Sequence, residues 1–345
     1  MRWTSFLKLA PVFIGVACFE FRPSGELFDG PPPDFDAAAC SGNEPACLDS
    51  FTLLECVDNR IVDQPPCPCV GTPGNARCGT VSASNVTFDA ASLANLADIT
   101  VAGGETLVID TNSGEWRKCA NTVVRGPVLG TDNNIGFAKI GGTAAQPGLG
   151  IFSFRTLTIQ SGGTVRAVGL VNDMIAPERR DNALVLLAAV EVSVEGTLSV
   201  SAGSRSCSID SACSGSGDPR CAGPGAWQGG RVNNDGSGTG AGTNFPGASG
   251  ASTPEGGGGG GGFGAIGGAG GGAWTGNCMM RPCGGVTYGL PQLVPLYGGS
   301  GGAGGGEAAP SAGAGGSGGG AVQITSGARI RILGGGDIIA AGTGG

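Results

Sequence analysis

Glycine constrains this chain more than any other feature. It occurs 71 times in 345 residues, about three times its ordinary frequency of ~7%, and 50 of the 71 fall after residue 200. Ordering a glycine costs more backbone entropy than ordering any other residue. The second half must therefore stay coil or offset that loss through packing that a side chain would forbid. No strict Gly-X-Y period exists, and 21 prolines are too few for collagen. The first half differs. Hydrophobic residues make up 40% of the chain and charged ones 13%, whereas disorder pairs low hydrophobicity with high net charge. Part of the chain is expected to fold around a core.

Histidine is absent, which removes Ser-His-Asp and Cys-His catalysis, histidine-ligated zinc and imidazole pH switching. The formal net charge is −8, the opposite of the basic stripe that phosphate neutralisation needs, so nucleic acid is not an expected partner.

Arg2 and Lys8 flank the start of an apolar run from Leu9 to Ala17, too short for a bilayer span of ~20 residues. Residues 1–17 read as a signal peptide. Gly15-Val16-Ala17-Cys18 resembles a bacterial lipobox, with small Ala17 before Cys18, although Gly15 stands where leucine is commonest. The resemblance implies cleavage before Cys18 and lipid attachment to it; an ordinary secretory signal and a secreted protein is the alternative. The cysteine count supports lipidation, because 13 is odd and setting Cys18 aside leaves twelve that can pair in an oxidising compartment. No later run of 18 apolar residues occurs, so membrane attachment is expected through the lipid alone, at the outer membrane or cell surface. Residues 18–39, with Pro31-Pro32-Pro33 and scattered acids, form an extended tether.

Residues 40–79 hold Cys40, Cys47, Cys56, Cys67, Cys69 and Cys78 with few apolar side chains. A core that small needs staples, and three disulfides at roughly 2–4 kcal/mol each would supply them. The connectivity is open. Zinc is disfavoured, since the one close pair, Cys67-Pro68-Cys69, lacks the CxxC spacing. The remaining pairing candidates are Cys119, Cys207, Cys213, Cys221, Cys278 and Cys283.

A pattern of apolar-x-apolar, glycine turn, apolar-x-apolar recurs through residues 80–202 and again in 321–345. It reads Ile99-Thr100-Val101 then Leu107-Val108-Ile109, and Leu157-Thr158-Ile159 then Val165-Arg166-Ala167. Further copies are Val192-Ser193-Val194 then Leu198-Ser199-Val200, and Val322-Gln323-Ile324 then Ile330-Arg331-Ile332, with corners at Gly103-Gly104, Gly162-Gly163, Gly196 and Gly327. Asn-Gly and Asp-Gly hairpin turns are missing from these corners. Small outward residues over stacked aliphatics suit all-β parallel β-helix or β-solenoid coils; an antiparallel sandwich is the alternative. Uneven spacing requires long excursions between coils. Residues 182–190 read as a fully buried strand.

Residues 203–320 form a glycine-rich insertion. Flexible coil is the simple expectation, but cysteines, Trp227, Phe245, Phe263, Ile266, Trp274, Tyr288 and Tyr297 punctuate it and charge is scarce. Partial order is therefore favoured, with extended glycine strands packing closely as bundled polyglycine-type helices or as turns laid on the coils. Because loop-closure cost grows slowly with length, excising 204–319 is expected to leave a folded β-rich protein. Motif matches inside the tract mislead. Gly262–Gly267 spells GxGxxG with no βαβ unit around it, and Gly298–Gly302 spells GxSxG with no base. Asp132-Asn133-Asn134 and Asn233-Asn234-Asp235-Gly236 read as turns before calcium ligands, and Asn85-Val86-Thr87 is a sequon in spelling only.

The lipobox, the six-cysteine module ending Ala76-Arg77-Cys78-Gly79, the GTVRAVG-like and VEGTLSVSAG-like coils and the GGGGGGGFGAIGGAGGG tract together resemble Cys-rich, Gly-rich exported lipoproteins of gliding soil bacteria, a group without an assigned activity. The resemblance implies an envelope or surface protein and transfers no catalytic, metal or cofactor residue. It also suggests that Gly334–Ala341 begins a further coil that continues past Gly345. The expected role is non-enzymatic, structural or adhesive, with surface polysaccharide or envelope proteins as partners. The alternative is a carbohydrate-active β-helix enzyme or binder using carboxylates among Asp110, Asp173, Asp181, Glu191 and Glu195.

Overall fold

Period-two aliphatic alternation produces two stacks of parallel strands. The computed structural model describes residues 46–47, 53–57, 60–63, 69–70, 77–78, 80–89, 96–143, 146–168, 182–203, 221–244, 257–270, 284–305 and 313–344. The signal peptide, Cys18 and the tether lie outside them, as do Cys40, Cys67, Cys207, Cys213, Cys278, Cys283, Asp173 and Asp181.

The N-terminal part holds β1 (Ala46–Cys47), β2 (Leu53–Val57), β3 (Arg60–Asp63), β4 (Cys69–Val70), β5 (Arg77–Cys78), β6 (Thr80–Ala83) and β7 (Val86–Asp89). They form small antiparallel ladders, β1-β2-β3, β4-β5 and β6-β7, with Cys69 in register opposite Cys78. The main body comprises β8 (Asp98–Val101), β9 (Thr106–Asp110), β10 (Trp116–Lys118), β11 (Thr122–Arg125), β12 (Gly130–Asp132), β13 (Ile135–Ile140) and β14 (Leu149–Ile159). It continues through β15 (Thr164–Val168), β16 (Ala183–Val194), β17 (Thr197–Ser199), β18 (Val322–Ser326), β19 (Arg329–Ile332) and β20 (Asp337–Ile339). The described residues are all-β, without α-helix, and the main body forms two mixed sheets that do not close.

In one sheet β8, β14, β16 and β19 pair in parallel, aligning Ile99, Leu157, Val192 and Ile330 and, two residues on, Val101, Ile159, Val194 and Ile332. In the other, β9, β15, β17 and β20 align Leu107, Val165, Leu198 and Ile338. Leu157, Ile159, Val165, Val192, Val194, Leu198 and Val200 are all fully buried in one shared cluster, as their alternation requires. Glycine makes the corners. Gly162 (φ +76°) and Gly335 (φ +92°) adopt left-handed conformations that L side chains avoid.

The last tier corrects the sequence reading. Val322–Ile324 and Ile330–Ile332 are not two arms around Gly327: β18 and β19 both run alongside the long β16, and the corner lies at Gly334–Gly336, leading to β20. Gly334–Ala341 thus completes this tier, with Ile338 in register with Leu198.

The excursion between the first two tiers forms a cap. Antiparallel β10 and β11 extend one sheet beyond β9, while in the other β13 pairs with the first half of β14, next to β8 on its second half, and β12 continues beyond β13. Trp116 packs against Phe152 and Phe154 with ring centroids 5.2 and 6.0 Å apart, and Phe137 stacks on Phe152 at 4.7 Å. Residues Asn133 and Asn134, both at positive φ, make the two-residue turn of the β12–β13 hairpin.

The glycine tract touches the outer face of the stack. Leu149, Ile151, Ala183, Val185 and Leu187 turn away from the inter-sheet core and pack with Leu296, Leu293, Ala321 and the β6–β7 hairpin residues Ala83 and Val86. The first halves of β14 and β16 are therefore covered on both faces, which explains their continuous apolar runs.

Candidate functional site

The described segments of the tract contain neither helix nor strand before β18, yet their backbone hydrogen bonds recur every third residue. Along 298–305, Gly298, Gly301 and Gly304 donate to the carbonyls of Gly225, Ser237 and Asn234. Gly299, Gly302 and Gly305 donate to Gly319, Gly316 and Gly313. Ser300 and Ala303 donate to Gly262 and Gly259. Three rows serving three neighbours are the signature of extended helices with three residues per turn and no internal hydrogen bonds, the polyproline-II geometry. Of the two arrangements the sequence leaves open, helices or turns, this three-residue phasing matches the helices.

Glycine is required by the approach of the backbones. A Cβ on Gly318 would lie 1.8 Å from the Gly299 carbonyl oxygen, and one on Gly301 1.9 Å from that of Gln228. Where side chains do occur they knit the bundle. Trp227, Phe263, Tyr288 and Tyr297 form a ring cluster with centroids 5.3 to 6.1 Å apart, and the Tyr288 hydroxyl donates to Gly298 O at 2.6 Å. Burial holds the Tyr288 phenol well above its usual ionisation range. Ile266, by contrast, is 76% exposed.

A groove of about 700 Å³ runs between residues 257–263, 313–319 and 342–344. Its hydroxyls are committed to the scaffold. Ser300 Oγ accepts from Gly240 N–H at 2.9 Å, Ser317 Oγ from Gly229 N–H at 3.0 Å, and Thr343 Oγ1 from Ser317 N–H at 2.7 Å. Ser300 of the GxSxG spelling is thus a buried lattice residue. The GxGxxG spelling is a chain reversal closed by Phe263 N–H to Ala265 O, and Asn234 N–H closes a turn on Arg231 O. Asn85 of the sequon spelling donates its amide to Leu293 O and Gln323 Oε1, both at 3.1 Å.

Charges on the outer sheet face pair across tiers. Asp98, Thr156, Glu191 and Arg329 share one register column, and Thr100, Thr158, Ser193 and Arg331 the next. Glu191 accepts from Arg329 Nε at 2.8 Å and Arg331 Nε at 2.7 Å. Partial burial would raise its pKa, but the two guanidinium bonds outweigh that and hold it below the usual carboxylate value. Asp98 accepts from Arg155 and from Thr156 Oγ1 and is likewise lowered despite partial desolvation. Glu105 accepts from Ala102 N–H and from Lys118, which also lower its pKa.

Of the polysaccharide-site candidates, Asp110 caps a turn through the N–H groups of Asn112 and Ser113, and Glu191 sits in its arginine pair rather than standing alone in solvent. Sequence reasoning missed Arg125. It is fully buried and donates through Nε to Ile135 O, through Nη1 to Gly114 and Gly126 O, and through Nη2 to Val128 and Gly130 O. Its guanidinium also lies 5.1 Å from the Phe137 ring centre. All five N–H donors are used, so it clamps the loop between β11 and β12. A lone arginine in Val124-Arg125-Gly126 carries no local signal of that role. Among the described residues no group of three or more Cys, Asp or Glu is placed to hold a metal ion, and no helix is long and apolar enough to cross a membrane. The chain matches no family model, no curated protein and no solved structure.

Proposed function

We propose that this chain is a non-enzymatic cell-envelope or surface protein, anchored by lipid at Cys18, in which β-solenoid coils and a glycine-helix bundle form a rigid structural or adhesive body. The observation that supports it best is the four-tier register that stacks Ile99, Leu157, Val192 and Ile330 in one sheet and Leu107, Val165, Leu198 and Ile338 in the other. Stacks of this kind build stiff, extended shapes. Export and anchoring rest on the residues before Cys18, and full pairing of the other twelve cysteines on the compartment that export implies.

Labelled palmitate fed to cells expressing the chain should appear in it and vanish in Cys18→Ser. Label that survives the change would overturn the anchor. Incubating the purified protein with a panel of polysaccharides, with and without calcium, tests the non-enzymatic part: turnover of any of them would replace it with the carbohydrate-active reading.

A further inference from the structure

Six cysteines within residues 40–79 allow fifteen connectivities, and strand register separates them. β4 and β5 form a ladder of two residue pairs, with Cys69 directly opposite Cys78 and Val70 opposite Arg77. Opposed Cα atoms in an antiparallel ladder lie about 4.5 Å apart at a non-hydrogen-bonded pair and about 5.5 Å apart at a hydrogen-bonded one. Both separations fall inside the span of roughly 4.4–6.8 Å that disulfides bridge. Opposed residues also stand on one face of the ladder, the placement a bridge requires.

The neighbouring sheet gives the opposite result. Cys47 of β1 is opposite Leu53 of β2, and Cys56 stands three residues further along β2. That odd offset puts Cys56 on the other face from Leu53, and hence from Cys47. At about 3.3 Å per residue, Cys47 and Cys56 are also about 10 Å apart along the strands, beyond the ~7 Å at which bridging fails. They are not partners, although only nine positions separate them in sequence.

A staple between β4 and β5 has a clear physical use. A two-stranded ladder is marginal on its own, and the residues between the two cysteines include Gly71, Pro73 and Gly74. Cys78 is followed by Gly79 and then directly by β6. The β6–β7 hairpin packs Ala83 and Val86 against the stack, and its Asn85 bonds to Leu293 O and Gln323 Oε1. A bond at Cys78 would therefore tie the cysteine module to the main body through one intervening residue.

We propose that Cys69 and Cys78 form a cross-strand disulfide. The thiolate of one attacks the disulfide of an oxidant, forming a mixed disulfide and releasing one thiol; the thiolate of the other attacks the protein sulfur of that bond and releases the second. The protein loses two electrons and two protons, which the oxidant carries away as two thiols. In cells this rests on the export reading, because export supplies the oxidising compartment. Glutathione disulfide supplies the oxidant in vitro.

The test refolds the full chain in oxidised and reduced glutathione, alkylates free thiols under denaturing conditions and maps tryptic peptides by mass spectrometry. Peptide 78–117, whose sole cysteine is Cys78, should appear in a disulfide-linked set that contains peptide 61–77. Cys69→Ser should leave Cys78 alkylated, and Cys67→Ser should leave it bonded. Cys69→Ser with Cys78→Ser should expose no more thiols than the parent. Cys47→Ser should free a thiol other than Cys56. The proposal is overturned if 78–117 is found alone or in a set lacking 61–77, or if Cys67→Ser rather than Cys69→Ser frees Cys78. Release of Cys56 by Cys47→Ser would remove the register argument and overturn it equally. A chain that stays reduced in cells but carries the Cys69–Cys78 bond after refolding would refute export and uphold the pairing.

Discussion

Gly318→Ala is the sharpest perturbation of the glycine bundle. The added methyl would sit 1.8 Å from the Gly299 oxygen and 2.2 Å from its carbonyl carbon, where an unstrained carbon–oxygen contact is about 3.3–3.6 Å. Both atoms are backbone, so relief requires two extended helices to part by roughly 1.5 Å, the difference between those contacts. Three hydrogen bonds span that seam: Gly299 to Gly319 at 2.8 Å, Gly302 to Gly316 at 2.8 Å and Gly305 to Gly313 at 3.0 Å. At about 1 kcal/mol net for each, their loss costs roughly 3 kcal/mol, offset by about 0.4–1 kcal/mol from the smaller entropy of the unfolded alanine chain. The expected result is a destabilisation of about 2–3 kcal/mol. Gly264 is the control, because a Cβ there meets nothing within 4 Å and its φ is not left-handed. Only the unfolded-state contribution operates, so Gly264→Ala should stabilise by up to about 1 kcal/mol. Urea unfolding followed by circular dichroism compares the two with the parent. Shifts of the same sign, or Gly318→Ala melting like the parent, would refute the close-packed lattice.

Leu157→Ala, which empties a fully buried site between tiers, should cost about 2–5 kcal/mol in the same assay. Arg125→Lys keeps the charge but offers three donors to a site that uses five, and should cost about 3 kcal/mol or more at roughly 1.5–3 kcal/mol per lost charged bond. Glu191 has a folded pKa below its ordinary value of 4.5. Its contribution to stability is therefore present above that value and lost as pH falls through the lowered one; a stability–pH profile of Glu191→Gln should lie flatter than the parent's in that acid range, and parallel profiles would contradict the pairing. Excising residues 204–319 should yield a protein that binds a hydrophobic dye and unfolds at lower urea, because Ile151, Ala183, Val185 and Leu187 lose the cover that includes Leu296.

Much of the strand stack was legible because β-structure writes its period locally. Ile99-Thr100-Val101 and its copies announce a buried face in three residues, and short corner glycines announce the turns. Register does not write itself locally. The Val322–Ile332 stretch looks like two arms about Gly327, and only the length of β16, which accommodates both arms end to end, assigns the corner to Gly334–Gly336. The cap was illegible for a related reason: Trp116, Phe137, Phe152 and Phe154 are scattered over nearly forty positions, and they meet because antiparallel pairing sets Phe137 opposite Phe152 in one sheet while β10 brings Trp116 to them from the other. Arg125 bonds to five carbonyls, groups that every residue possesses, so composition cannot reveal it. In the tract, glycine content allowed polyglycine-type helices or turns, and the choice of neighbours depends on three-residue phasing that a uniform run of glycines cannot encode.

That phasing comes from outside the uniform runs. Gly320 donates to Val200 O and Ala321 to Pro224 O, while Gly203 donates to Cys221 O, so the residues just after β17 hold both ends of the tract. A Cβ on Gly225 would strike Ala183 of β16 at 2.6 Å, which makes the sheet itself the floor of the first glycine helix. From that floor the pattern propagates: Trp227, Gly230 and Asn233 donate to Gly299, Gly302 and Gly305, three residues at a time. The ring cluster of Trp227, Phe263, Tyr288 and Tyr297 then admits one relative sliding of the helices. Ordering each glycine costs about 1–2 kcal/mol or more of backbone entropy, and its one or two hydrogen bonds return a net ~1 kcal/mol each. An isolated glycine bundle would sit near balance on those numbers. Docked on a sheet that fixes its first helix and closed by four aromatic rings, it gains apolar burial at Leu296 and Trp227, which are 3% and 4% exposed. The stability of the glycine lattice is therefore coupled to the aliphatic stack, and a core lesion such as Leu198→Asp should loosen both together rather than unfold the strands beneath an intact bundle.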